Sequence, residues 1–417
     1  MGKDIAPRRK YPGYWTVKAW RRGLRNRVSR WLGARAATEQ DLTPIDPATI
    51  KRLIVCRRNR RLGNMLMLTP LLRSLSAALP QAEIDLLIGS ADFAGLFRGL
   101  PGVRKVWVMP SRGWAWPWRM LRMLRHLRAQ RYDLSLEPSF NSFSNRLSAR
   151  LCGARFVVGF RTPDQWLRLT HSVKPDPAIT HEALKPVQLV RDAIRGTPLI
   201  QSNLYIALSA EEREAARDRL RDIIGNARRP VIGFFTEATG RKRLPQEWWA
   251  QWAASLIAAQ PGFQLLQVLP PGACTPLHAD MASVCEPDHR QLAALLGHLD
   301  LFVSCDAGPM HLAGAAGTPT IGLFRSRKGE RYGPLGRASL ALQLGQQGPA
   351  ETARLVARHL LAVLDRQEME LEASAPVRLA RDLDAPAQPA ANASHQIQAA
   401  PDSAAFTAPV VTIKNPR

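Results

Sequence analysis

Six consecutive residues, "DAGPMH" (306–311), bring together Asp306, Gly308, Pro309 and His311, and the small side chains Ala313, Gly314, Ala315, Ala316 and Gly317 follow closely. Proline suits a first helical turn, where its missing N–H breaks no helix bond, so a helix starts near Pro309. The free backbone N–H groups of Gly308, Met310 and His311, with the partial positive charge of a helix start, then make an anion site. Gly308 lets a ligand approach the backbone closely, Ala307 sits at the turn, and the small residues let the helix lie tight on a sheet. The plainer alternative is a helix start at which Asp306 caps and His311 fills space. A second cationic cluster, "GRKRLP" (240–245), follows a strand ending at Thr236. Both clusters belong at one sheet edge, where Lys242, with Arg241 and Arg243 near it, suits a diphosphate.

The elements that must position these residues alternate. Short apolar runs at 51–56, 83–89, 105–110, 132–138, 155–160, 230–236, 263–270, 301–305 and 319–324 read as strands. Helical patterns lie between them, including one continuous helix over 63–80 and a last one over 350–366. Such alternation gives βαβ units and parallel sheets. The economical architecture is α/β, with two Rossmann-like doubly wound domains facing a cleft and ligands at the carboxyl ends of the strands. The less regular stretch 161–228 holds the junction. We divide the chain into a basic aromatic arm (1–48), an N-terminal acceptor-side domain (49–200), a C-terminal donor-nucleotide domain (201–368) and a disordered Ala/Pro-rich tail (369–417).

Bulk properties narrow the partners. The formal charge is +24 over 417 residues, which implies an anionic partner: nucleic acid, acidic lipid or a phosphorylated substrate. No apolar run is long enough for a membrane-spanning helix, and no signal peptide precedes the arm, so a cytoplasmic chain is expected. The arm interleaves Tyr11, Tyr14, Trp15, Trp20 and Trp31 with Arg and Lys, as a membrane-surface segment or a solvated leader would. Cys56, Cys152, Cys274, Cys285 and Cys305 are dispersed without metal-ligand spacing. In "WRMLRMLRHLRAQR" (118–131) Met120, Leu121, Met123, Leu124 and Leu127 form one arc, and Arg119, Arg122, Arg125 and Arg128 most of the other. That basic face is either solvated or meets anionic lipid or acceptor phosphates. Arg57, Arg58, Arg60 and Arg61 crowd the loop before Gly63, again either as a solvated run or as contacts to an acceptor phosphate. Trp248, Trp249 and Trp252 read as core, and the scattered histidines receive no role.

The sequence resembles glycosyltransferase family 9, the ADP-heptose:lipopolysaccharide heptosyltransferases, over roughly residues 51–365. "DAGPMHLAGAAGTPTIGLF" is similar to that family's D-[ST]-G-x-x-H-L-A-x-A-x-G-x-P-x-x-x-L-F signature, with Ala307 where Ser or Thr is usual. "RLGNMLMLTPLLRSLSAALPQAEIDLL" resembles its R-[LI]-G-D opening, and "GRKRLPQEWWAQW" its G-x-x-K-x-[WL]-P segment. The resemblance implies the GT-B arrangement and inverting transfer of heptose from ADP-heptose to a lipopolysaccharide core at the cytoplasmic face of the inner membrane. It implies no metal on the diphosphate and no cofactor. The chain's only D-x-D, Asp382 and Asp384, falls in the expected disordered tail. Leaving-group charge would then fall to Lys242 and the helix start.

One departure bears on mechanism. Asn64 stands where the family carries its catalytic Asp, and an amide cannot serve as a general base. Glu137, ending the strand "YDLSLEP", is the candidate substitute expected to face the cleft, and Glu237 is a weaker one. Alternatively Asn64 positions the acceptor and the proton leaves late, or the protein binds a sugar nucleotide or glycolipid without turnover. A nucleic-acid-binding role rests on charge alone and has no recognised module behind it.

Overall fold

The computed structural model describes residues 43–383, except 110–116, 141, 163–166, 168, 197–201, 226–228 and 273–274, together with 410–411. The aromatic arm up to residue 42 lies outside the described residues.

The first half contains β1 (Arg52–Arg57), α1 (Leu62–Leu66), α2 (Thr69–Ala78), β2 (Glu83–Ile88), β3 (Val103–Val108), α3 (Pro117–Ala129), β4 (Leu134–Glu137), α4 (Phe143–Leu151), β5 (Phe156–Phe160), β6 (His171–Val173) and α5 (Lys185–Ala193). The second contains α6 (Ala210–Ile224), β7 (Val231–Phe235), α7 (Gln246–Ala259), β8 (Gln264–Leu269), β9 (Ser283–Cys285), α8 (His289–Leu296), β10 (Leu301–Cys305), α9 (Gly308–Ala316), β11 (Thr320–Phe324), α10 (Gly329–Tyr332), β12 (Leu340–Gln343), α11 (Pro349–Leu383) and β13 (Val410–Val411). The first sheet runs β3-β2-β1-β4-β5-β6 and the second β13-β12-β11-β10-β7-β8-β9. All pairings are parallel. β1, β4, β7 and β10 are sequestered almost throughout, as central parallel strands covered by helices must be.

Each sheet winds outward from its first strand and then returns to that strand's other side. The order therefore reverses between β1 and β4, and again between β7 and β10. Loops leaving those neighbours diverge to opposite faces and open a crevice at the carboxyl edge. Arg57–Asn64, Glu137, Thr236–Lys242 and Asp306–His311 end or follow the four strands at the two reversals.

Several expectations change. The helix expected over 63–80 is two helices, α1 and α2, with Met67 and Leu68 between them. Pro70 in the first turn of α2 cannot continue a helix from upstream, because it lacks the N–H and disfavours helical backbone before it. β6 and β9 are three residues long and β12 four, too short to show in the pattern. α11 runs past residue 368 to Leu383, so it takes in Asp382, and Val410–Val411 pairs beside β12. Most of the remaining tail lies outside the described residues. The irregular 161–228 stretch contains β6, α5 and α6, the last started by a capping box between Ser209 and Glu212. Between α5 and α6 the linker is tied to both halves: Tyr205 N–H donates to Thr69 Oγ1 (3.0 Å) and Ile206 N–H to Ala315 O (3.0 Å). One apolar cluster includes Leu66 and Leu71 from the first half and Leu312 and Leu335 from the second, so the cleft floor is packed core.

Candidate active site

The second sheet builds a cationic corner. α9 starts at Gly308 with Pro309 in its first turn; Ala307 is the N-cap and supplies no side-chain hydrogen bond. A Ser or Thr cap would engage a first-turn N–H; with alanine those groups stay available to a ligand. Asp306 does not cap. Its Oδ2 lies 2.5 Å from Lys242 Nζ, linking the segment after β10 to the 3-10 turn Gly240–Lys242 after β7. Lys242 remains 38 % exposed whereas Asp306 is only 9 % exposed, so the ammonium is the accessible partner and the buried carboxylate anchors it. Thr236 is buried at the end of β7. Arg243 donates to Glu237 (2.8 Å), as does Gln246 (3.1 Å). Glu237 is therefore committed to its own loop.

The first sheet brings its residues against this corner. A Cβ built on Gly63 would lie 2.5 Å from His311 Cδ2, and one on Gly308 would lie 3.0 Å from Leu62 Cδ2. Gly308 thus admits a side chain of the facing half, a use the sequence did not suggest. Asn64, half-buried in α1, is adjacent to this contact. His311 is buried, its Nδ1 has no hydrogen-bond partner, and burial pushes its pKa down to about 3, with nearby His181 and Lys242 adding to the effect. The ring is neutral at physiological pH.

Glu137 corrects an expectation. It ends β4 at the cleft edge, but its side chain is fully buried rather than facing the cleft. Ser139 N–H donates to Oε1 (2.8 Å) and Arg146 Nη2 lies 3.4 Å from Oε2. Burial raises its pKa to about 7, against the pull of Arg146 and the Ser139 hydrogen bonds. An acceptor hydroxyl cannot touch a carboxylate so enclosed. Its neighbours instead brace the arginine loop: Arg57 donates to Ser139 Oγ (3.0 Å), Asn145 donates to the same Oγ (2.6 Å), and Arg58 N–H donates to Asn145 Oδ1 (3.0 Å). Arg58 is half-buried and Arg61 exposed, with the Arg61 N–H closing a turn on Asn59 Oδ1 (2.9 Å).

Sequence reasoning missed the residues that join the halves beside this site. His181 Nε2 lies 3.0 Å from Gly333 O, Glu182 N–H donates to Arg331 O (3.0 Å), and Glu182 Oε1 accepts from Lys185 (2.7 Å) and Arg331 (2.5 Å). Burial pushes Glu182 up, but those two cations outweigh it and hold the carboxyl below its usual range. The segment "THEALKP" has no periodicity and its partners are distant in sequence, so only its lone His-Glu pair could have signalled it.

The sequence pattern of Glycosyltransferase family 9 (heptosyltransferase) matches residues 120–358, more than half of the chain. The chain belongs to glycosyltransferase family 9. It is 23 % identical to the lipopolysaccharide core heptosyltransferase OpsX of Haemophilus influenzae over 271 residues, covering 61 % of this chain and 74 % of that one. It is 21 % identical to the putative lipopolysaccharide heptosyltransferase 4 of Escherichia coli, covering 69 % and 78 %. Among solved structures, ADP-heptose lps heptosyltransferase II of Escherichia coli superposes with a TM-score of 0.61 at 21 % identity, covering 75 % of this chain and 99 % of that one. The heptosyltransferase WaaC of Escherichia coli with ADP gives 0.55 at 18 %, covering 74 % and 99 %. The two-domain fold is GT-B-like, and this family 9 member is a glycosyltransferase. Among the described residues no group of three or more His, Cys, Asp or Glu could hold a metal ion, and no helix is long and apolar enough to cross a membrane.

Proposed function

We propose that this glycosyltransferase moves a sugar, heptose from ADP-heptose, onto a lipopolysaccharide core or related glycolipid, with inversion and without a metal or other cofactor. The observation that carries the reading is the ion pair of Lys242 with Asp306, which holds the ammonium beside the uncapped start of α9 at the reversal between β7 and β10. The acceptor oxygen attacks the anomeric carbon as the bond to the diphosphate breaks. The departing charge falls on a phosphate oxygen, where Lys242 and the first N–H groups of α9 stabilise it from fixed positions. Asn64 orients the acceptor hydroxyl, and its proton leaves late, to water. Arg58 and Arg61 contact acceptor phosphates, and Thr236 lines the donor side. The protein works peripherally at the cytoplasmic face of the inner membrane.

Calorimetric titration with ADP, UDP and GDP tests the donor side, with Lys242→Ala as control. ADP binding that is lost in the control supports the reading; equal binding of all three, or none, defeats it. A second reading, a relative that binds its donor without turnover, is favoured by Asn64 together with the enclosure of Glu137. Single-turnover product formation from labelled ADP-heptose and core acceptor separates the two.

A further inference from the structure

Helix α3 presents two unlike faces. Leu127 is fully buried, and Met120 and Met123 pack with it against Leu87 and Tyr132. Leu121, expected from the sequence on that apolar arc, is instead 50 % exposed, and Trp118 is 57 % exposed. Arg119, Arg122, Arg125 and Arg128 are exposed beside them, and α3 contains no acidic residue. Positions 118, 121, 122 and 125 follow the i, i+3, i+4, i+7 spacing of one helical stripe. Large apolar side chains and arginines thus share one outward stripe.

That mixture discriminates among anionic partners. A nucleic acid would take the arginines and leave Leu121 in water; an apolar protein groove would take Trp118 and Leu121 and strand the arginines. A bilayer surface takes both, with indole and leucine at the headgroup boundary and guanidinium groups over lipid phosphates. The position is also apt. α3 follows β3, so it starts from the same carboxyl edge of the first sheet as α1, which bears Asn64, and the end of β4.

We propose that α3 is the surface on which the acceptor half rests against an anionic bilayer, with Trp118 and Leu121 at the headgroup boundary and Arg119, Arg122 and Arg125 over lipid phosphates. This deepens the reading of a lipid-borne acceptor and rests on it, but its test uses no sugar donor, so either can fail alone.

The test is co-sedimentation of the full chain with vesicles of phosphatidylcholine, or of equal parts phosphatidylcholine and phosphatidylglycerol. Each cation near such a surface is worth roughly fivefold in partition. The double variant Arg122→Ala/Arg125→Ala is expected to lose at least about tenfold on the anionic vesicles, with the loss shrinking as salt is raised. Trp118→Ser/Leu121→Ser is expected to weaken binding in a manner insensitive to salt. All four side chains are exposed, and urea midpoints matching the unchanged protein verify the fold. The basic arm is present throughout, so its contribution cancels. If either double variant binds anionic vesicles as the unchanged protein does, the proposal is overturned. It is equally overturned if the arginine variant loses affinity for duplex DNA but not for vesicles.

Discussion

Gly63 and His311 come from opposite halves of the molecule and touch without room for one further carbon: a Cβ on Gly63 would stand 2.5 Å from His311 Cδ2. The reciprocal contact of Gly308 with Leu62 locks the same two segments a second time. The segment bearing Asn64 and the start of α9 are therefore positioned by each other. Their separation is set by two glycines rather than by a flexible linker.

Gly63→Ala is accordingly expected to push the halves apart. Overpacking at a close contact costs about 1–3 kcal/mol, and the displacement falls on reacting groups, so transfer should drop further than stability. Gly308→Ala should be milder, because its clash is shallower by half an ångström (3.0 against 2.5 Å) and Leu62 is only half-buried whereas His311 is buried. Thermal melting and initial rates for the two variants check the order.

Lys242→Met removes the exposed cation and leaves Asp306 unpaired beside the helix start. Nucleotide diphosphate affinity should fall roughly ten- to a hundredfold, the worth of a charge-assisted hydrogen bond plus the repulsion of a bared carboxylate. Asp306→Asn keeps the lysine but loosens it, so calorimetry should show a smaller loss. An Asp306→Asn affinity as poor as that of Lys242→Met would mean that placement, not charge, is what binding needs.

The half-joining residue Arg290 gives a stability prediction. Its Nε and Nη2 donate to Glu212 (2.6 and 2.5 Å), Nη1 to Gly95 O and Arg98 O, and Nη2 also to Ala207 O. A nearly buried guanidinium thus spans the first half, the linker and α8, and holds Glu212 at a pKa of about 2 through its hydrogen bonds. Arg290→Met strands those acceptors and should cost about 3 kcal/mol, read as a lower urea midpoint. Arg290→Lys should recover only part, since an ammonium cannot reproduce the fork.

Much of this was legible in the sequence because it is local. The alternation of apolar runs places β1, β4, β7 and β10, and strand order then brings Asn64, Lys242 and His311 to common edges. The glycine-proline start of α9 shows in three adjacent residues. What escaped is non-local or one-sided. Leu121 fits a helical period yet is half exposed, because Leu127, Met120 and Met123 are the side chains that pack against Leu87 and Tyr132, and periodicity does not say where the contact ends. Glu137 sits at the right end of the right strand, but its enclosure depends on Ser139 and Arg146 folding over it. The Glu182–Arg331 link joins residues 149 apart, and no spacing rule reaches that far.

Glu137 and His311 should give opposite pH dependences of stability. Glu137 is raised from 4.5 to about 7, so the folded state binds its proton more tightly. Its contribution is present below about pH 4.5 and is lost as pH rises through about 7. His311 is lowered from 6.5 to about 3, so its contribution is present above about pH 6.5 and lost as pH falls toward 3. In the unchanged protein the two partly cancel between about 4.5 and 6.5. Glu137→Gln removes one, so its stability relative to the unchanged protein should rise from pH 5 to 7 in urea titrations. A pH-independent difference would mean that Glu137 stays ionised throughout.

Asn64→Asp puts a carboxylate on α1, at the place where the proposed reaction releases the acceptor proton, in a helix otherwise unchanged. A positioned base contributes about 10²–10⁴ in rate, so kcat should rise, with KM for the acceptor little altered because Asn and Asp have nearly the same shape. The rate should also acquire an acid limb, falling as pH drops through the carboxyl's pKa, near 4 in an unperturbed Asp. Both features together would identify Asn64 as the place where proton transfer has been relinquished, with acceptor positioning kept. A fall in kcat without an acid limb would instead show that the amide's N–H₂, a donor that Asp lacks, makes the contact that transfer requires.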